Sequence, residues 1–192
     1  MLTINDLKNG SVVIITGDPY AVMSVKHLHV GRGSSSVQTR IRNLRTGQVL
    51  ERNFKPADEF EEAEIEKVKA VFIYASKGEY WFHKEGKPGD RFSLPEGTVG
   101  EKGVFLKPKM AVIAVLFGND DKEIINVELP IKAEYRVIEA APAVRGNTAQ
   151  GATKTVIIEG GTTITVPLFI NQDDMVRVNT ETGEYVERVE KA

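Results

Sequence analysis

The chain of 192 residues contains no cysteine. Disulfide frameworks and thiolate metal sites are therefore excluded, and the absence fits a reducing compartment. Histidine is scarce: His27, His29 and His83 are the only three. His27 and His29 project to one face of a strand-like run, yet no carboxylate stands at ligand spacing, so they read as surface or loop histidines. No apolar run approaches the roughly 20 residues that a spanning helix requires, and the best candidate, Met110 to Phe117, is far too short. Met1 to Asp6 lacks a basic segment followed by an apolar one, so no signal peptide is expected. Catalytic signatures are missing as well. No serine sits in a Gly-x-Ser-x-Gly elbow. Gly31-Arg32-Gly33-Ser34-Ser35 lacks the Gly-Lys-Ser/Thr ending of a phosphate loop, and no helix follows it. The carboxylate pairs Asp120-Asp121 and Asp173-Asp174 adjoin turn signals and read as solvated turn residues. These absences predict a soluble cytoplasmic protein, not an enzyme, without metal or other cofactor. A hydrolase site assembled from scattered residues stays open, because such sites form only in space.

What is present points to one localised contact. Net charge is −2, which argues against a generic basic nucleic-acid binder. The basic residues are nevertheless concentrated. Lys26, Arg32, Arg40, Arg42, Arg45, Arg52 and Lys55 fall in a stretch whose single acid is Glu51, and Asp58, Glu59, Glu61, Glu62, Glu64 and Glu66 follow directly. Within it, Arg32 lies between Gly31 and Gly33, flanked by the strand-like runs Tyr20–Lys26 and Val37–Leu44. Glycine on both sides lets a hairpin tip turn tightly and push the arginine outward. A guanidinium held away from any core offers its donor fork to phosphate, RNA edges or a carboxylate. The bland alternative is a solvated strand face with ordinary charge alternation.

Short apolar runs rich in Val, Ile, Tyr and Phe recur between turn signals and predict an all-β fold, with period-two alternation clear in places. Expected strands are 11–16, 20–26, 37–44, 49–54, 65–75, 79–83, 92–94, 110–117, 124–129, 133–139, 155–158, 163–167, 175–179 and 185–189. In the third, Val37, Thr39 and Ile41 point one way and Gln38, Arg40 and Arg42 the other, which sets two arginines opposite the core. Arg45-Thr46-Gly47-Gln48 and Glu181-Thr182-Gly183-Glu184 read as hairpin turns with glycine at positive φ. Helix signals are limited to a turn at Asn5–Lys8 and another within Pro95–Lys102. In Glu79-Tyr80-Trp81-Phe82-His83, Trp81 reads as barrel core in preference to a base-stacking platform. The acidic stretch Asp58–Glu66 and the proline of Leu129-Pro130-Ile131 mark two seams, giving three domains, 1–64, 65–129 and 130–192. Units of roughly 60 residues bury little core and favour SH3-like or OB-type barrels. A single-strand RNA-binding OB protein is therefore one functional reading of the residues alone.

The motifs resemble bacterial elongation factor P over essentially the whole length. The resemblance rests on Val166-Pro167-Leu168-Phe169-Ile170-Asn171, on Thr182-Gly183-Glu184-Tyr185-Val186-Glu187-Arg188-Val189, on Arg42-Asn43-Leu44-Arg45-Thr46-Gly47 with Arg52-Asn53-Phe54, and on Gly146-Asn147-Thr148 leading to Gly151-Ala152-Thr153-Lys154. It implies a KOW/SH3-like domain I followed by two OB-fold domains, three small barrels in an L shape. It also implies a monomeric, non-enzymatic translation factor bound to the 70S ribosome between P and E sites. Such a factor relieves stalling at consecutive prolines by positioning the CCA end of P-site peptidyl-tRNA. Carried over by residue, Arg32 is the functional tip, shaped by Gly31 and Gly33. Arg40 and Arg42 face tRNA, and Gly146, Asn147 and Thr148 face the E-site codon and mRNA. Tyr185 and Arg188 contact rRNA or tRNA, with core packing the alternative for Tyr185. The chain departs from the family's common pattern at several points. The tip is Val30-Gly31-Arg32-Gly33 where Pro-Gly-Lys-Gly is frequent, which excludes a lysine-directed modification. Rhamnosylation of Arg32 by an arginine rhamnosyltransferase is implied, with unmodified arginine as its rival. Asn147 replaces an aspartate, Val156 an alanine, and Asp173 the glycine that usually closes the signature beginning at Lys154.

Overall fold

Strand after strand in this chain buries one side and wets the other, and three antiparallel-rich sheets result. The computed structural model describes residues 1–28, 36–118, 122–140 and 153–192. Among them the all-β expectation holds: sixteen strands, one four-residue α-helix and one 3-10 helix.

The N-terminal sheet comprises β1 (Leu2–Thr3), β2 (Val12–Ile15), β3 (Asp18–Leu28), β4 (Ser36–Asn43), β5 (Val49–Phe54) and β6 (Glu59–Glu62), in the order β1-β6-β2-β3-β4-β5. Ile4, Leu7, Val13, Val22, Val37, Ile41, Phe54 and Phe60 form its core. The acidic stretch read as a seam is thus partly a strand. Phe60 is its reason: it is buried and meets Phe54 edge-on at 4.7 Å, and β6 pairs with both β1 and β2.

The middle sheet holds β7 (Ile65–Ser76), β8 (Glu79–Lys84), β9 (Lys87–Pro95), β10 (Ala111–Phe117) and β11 (Glu123–Glu128), in the order β11-β10-β7-β8-β9. The turn expected after Pro95 is α1 (Glu96–Val99), followed by the 3-10 helix Gly100–Phe105. Trp81 corrects the sequence reading. Phe82 takes the core at 0 % exposure, against Phe72 and Phe92, whereas Trp81 is half-buried and stacks on Tyr74, itself 44 % exposed. Alternation can seat only one of two adjacent aromatics in the core.

The C-terminal sheet holds β12 (Lys132–Ala140), β13 (Thr153–Ile158), β14 (Thr163–Pro167), β15 (Met175–Asn179) and β16 (Tyr185–Glu190), in the order β14-β13-β12-β15-β16. Tyr135, at 0 % exposure, donates its hydroxyl to the Phe105 carbonyl at 2.6 Å. Burial, with the Glu159 carboxylate adding to it, pushes that phenol well above the ordinary tyrosine range, so it donates throughout the physiological range.

The chain divides into two compact units. One comprises Met1–Ala70, Ser93–Gly100 and Ile113–Glu128; the other comprises Val71–Phe92, Glu101–Val112 and Leu129–Ala192. Among the described residues no helix is long and apolar enough to cross a membrane.

Candidate nucleic-acid interface

The basic face originates in the register of β4. Along it Val37, Thr39, Ile41 and Asn43 are buried, while Arg40 and Arg42 are exposed, matching the alternation read from the sequence. Cross-strand pairing then determines each arginine's neighbours. Arg40 lies opposite Ser24 of β3 and Glu51 of β5; Arg42 lies opposite Ala21 and Val49; Gln38 lies between Lys26 and Asn53. A bulge between Val22 and Ser24 lets β3 keep this phase. The outer face of the hairpin therefore presents Lys26, Arg40 and Arg42, with Glu51 its one acid. Arg40 and Arg42 form no ion pair with other described residues. Ladder hydrogen bonds on both sides of β4 fix the backbone beneath them, so two exposed guanidiniums sit on a firmly paired platform suited to phosphate.

The other basic residues of the stretch are disposed differently. Arg52 is in register with buried Thr39, whose hydroxyl donates to the Arg52 carbonyl at 3.0 Å, which turns its side chain away from the basic face. Arg45 is drawn inward, with Nε 3.2 Å from Asp18 and Nη2 2.9 Å from Glu123.

The β3–β4 hairpin is paired out to Leu28 opposite Ser36. The expected tip residues Gly31, Arg32 and Gly33 lie outside the described residues, as do Gly146, Asn147 and Thr148, His29, and Asp120-Asp121. His27 is exposed on β3, and His83 Nδ1 lies 2.8 Å from the Lys84 carbonyl. Among the described residues no group of His, Cys, Asp or Glu could hold a metal ion.

At the C-terminal sheet, Arg188 is engaged within the protein. Its Nη1 is 3.4 Å from the Phe169 carbonyl and 3.5 Å from Asp174 Oδ2, and its guanidinium lies over the Phe169 ring at 5.1 Å. Tyr185, beside it on β16, has its phenol pushed up chiefly by burial. Asp174 corrects the reading of Asp173-Asp174 as solvated turn residues. Asp173 is exposed, but Asp174 is 1 % exposed and accepts hydrogen bonds from the N–H groups of Asn171 and Ala192, each at 2.9 Å. Burial alone would raise this carboxyl; the two N–H donors and Arg188 together hold it below the ordinary aspartate value. The sequence repeats Asn-x-x-Thr-Gly at Asn43–Gly47 and Asn179–Gly183, and the two copies fold into like turns. In both turns the asparagine Oδ1 accepts from the second and third following N–H groups, and the glycine N–H donates to the asparagine carbonyl at 2.8 Å. Both glycines hold positive φ, 76° and 72°.

The family model described as the elongation factor P KOW-like domain matches residues 3–60, over the N-terminal sheet, and that described as elongation factor P, C-terminal, matches residues 133–188. The chain belongs to the elongation factor P family. Elongation factor P of Natranaerobius thermophilus is 35% identical over 189 residues, covering 98% of each chain. Elongation factor P of Aquifex aeolicus is 35% identical over 191 residues, covering 100% of this chain and 97% of the other. Among solved structures, eukaryotic translation initiation factor 5A from Methanococcus jannaschii aligns with a TM-score of 0.47 at 16% identity, over 65% of this chain and 92% of that one. Elongation factor P is a translation elongation factor and not an enzyme.

Proposed function

We propose that this chain binds the 70S ribosome between the P and E sites and stimulates peptide bond formation at consecutive prolines. The Arg32 loop braces the CCA end of P-site peptidyl-tRNA. The observation that carries this reading is the outward pair Arg40 and Arg42, without an ion pair among the described residues, on the same hairpin whose far end leads into Gly31-Arg32-Gly33. The platform holds tRNA phosphates while Arg32, a few residues on in the sequence, contacts the CCA end. Proline is a constrained secondary amine that also restricts the residue before it, and ordering the reactants lowers such a barrier without chemistry from the factor. Gly146, Asn147 and Thr148 face the E-site codon, with Asn147 offering an amide in place of a carboxylate. Tyr185 and Arg188 stand at an rRNA-facing edge, although Arg188 shares its guanidinium with Asp174 and Phe169. The factor acts as a monomer in the cytoplasm, in three domains with boundaries at 64/65 and 129/130. An arginine rhamnosyltransferase modifies Arg32.

The test is reconstituted translation of a Pro-Pro-Pro message with factor purified from its native host. Intact mass records whether Arg32 carries rhamnose. Wild-type factor relieves the stall, and Arg32→Ala loses about tenfold or more of the stimulated rate. Stimulation by Arg32→Ala equal to wild type overturns the reading. RNA affinity that is unchanged when ribosomes are omitted would favour an RNA-binding protein working off the ribosome.

A further inference from the structure

Arg45 sits at the foot of the β3–β4 hairpin and does more than close a turn. Asp18 begins β3 and Asn43 ends β4, and Asn43 Nδ2 donates to Asp18 Oδ2 at 3.2 Å, tying the two feet together. Arg45 grips the same Asp18 through Nε at 3.2 Å. Its Nη2 reaches Glu123 of β11 at 2.9 Å, and its guanidinium lies 5.7 Å from the centroid of the Phe117 ring of β10. From β11, the Asn126 amide donates to the Leu44 carbonyl at 3.0 Å and to the Arg45 carbonyl at 3.3 Å. Asn126 is 7 % exposed, on a strand whose neighbours Ile125 and Val127 are core. A buried amide is costly unless bonded, and this one is committed to the turn. All these residues belong to one compact unit.

The C-terminal hairpin serves as an internal control. It makes the same Asn-x-x-Thr-Gly turn with the same internal hydrogen bonds, yet carries exposed Glu181 where the first carries Arg45. The turn itself needs no arginine, so Arg45 is there for what it grips.

We propose that Arg45, seconded by Asn126, is a positioning residue that locks the foot of the β3–β4 arm onto the β10–β11 strands and thereby aims the arm's far end. The inference rests on the reading that this arm delivers Arg32 to tRNA. Geometry makes the lock consequential. β3 has 11 residues, so the arm spans roughly 33 Å at about 3.3 Å per residue. A tilt of about 10° at the foot moves the far end about 6 Å, whereas misplacement of about 1 Å is enough to cost about 100-fold in a positioned reaction.

The experiment compares wild type, Arg45→Lys and Arg45→Ala, with Arg32→Ala in parallel. Because the chain has no cysteine, spin labels at His27→Cys, near the end of β3, and Glu96→Cys, on the helix that contacts β11, both exposed and in the same unit, report the tilt of the arm. Arg45→Ala broadens the label-to-label distance distribution. It also lowers the saturating rate of proline incorporation about tenfold while the half-saturating concentration moves less than about threefold. Arg45→Lys, which keeps the charge but not the fork, falls between. A distribution in Arg45→Ala as narrow as in wild type overturns the lock. A broadened distribution with an unchanged saturating rate overturns the positioning role. If Arg32→Ala also works as well as wild type, it is the tip reading that fails, and the distance measurement still decides the lock.

Discussion

Asp173 and Asp174 are adjacent, alike in chemistry and opposite in circumstance. Asp173 holds φ 69°, the left-handed region that an L-residue enters at a cost of about 1–2 kcal/mol and that aspartate tolerates better than most. Glycine, the residue that the resemblance leads one to expect at this place, enters that region freely. Asp173→Gly is expected to leave stability unchanged or raise it by up to about 1 kcal/mol, because relief of strain is partly offset by unfolded-state entropy. Asp173→Val is expected to lose about 1–2 kcal/mol; urea midpoints with unchanged m-values decide both. Asp174 supports the C-terminal sheet through its charge. Its folded-state pKa is depressed, so the unfolded state binds more protons in acid. The stabilisation is complete above the ordinary aspartate pKa and is lost as pH falls through the lower folded value. Asp174→Ala is expected to cost about 2 kcal/mol at neutral pH and to flatten the acid limb of the stability curve. An acid limb identical to wild type would assign that limb to other carboxylates.

At the scale of elements, alternation in β4 was legible because a strand's two faces need only local sequence: buried Val37, Thr39 and Ile41 dictate where Arg40 and Arg42 go. β6 was not legible, since four residues carrying three glutamates read as a solvated seam until Phe60 finds Phe54. The same limit applied to Trp81 and Phe82, where either aromatic could have filled the core. The exposed arginines carry their own prediction. The double variant Arg40→Gln/Arg42→Gln keeps stability within about 0.5 kcal/mol of wild type, as exposed substitutions do. Its ribosome affinity falls about tenfold or more, and the salt dependence of binding shallows by about two counterions. Binding curves at several ionic strengths measure both, and an unaltered slope would remove the platform from the interface.

For the molecule as a whole, near-neutral charge and concentrated function are reconciled by geometry. A net charge of −2 coexists with one basic face because the acids that follow Lys55 fall on β6, on β7 and in the loops beside them, and because Arg45 is neutralised internally by Asp18 and Glu123. The sequence by itself determined the all-β class, nearly every strand, the two glycine-closed hairpins and the outward direction of Arg40 and Arg42. Each of these depends on residues two to five apart, where backbone periodicity and glycine's freedom at positive φ act alone. Only the tertiary structure decided that Asp174 is a buried hub, that Phe82 displaces Trp81 from the core, and that Arg45 is a clamp. Those outcomes depend on partners far along the chain: Arg45 meets Glu123 across 78 positions, a separation at which no local pattern in the sequence specifies who the neighbour is.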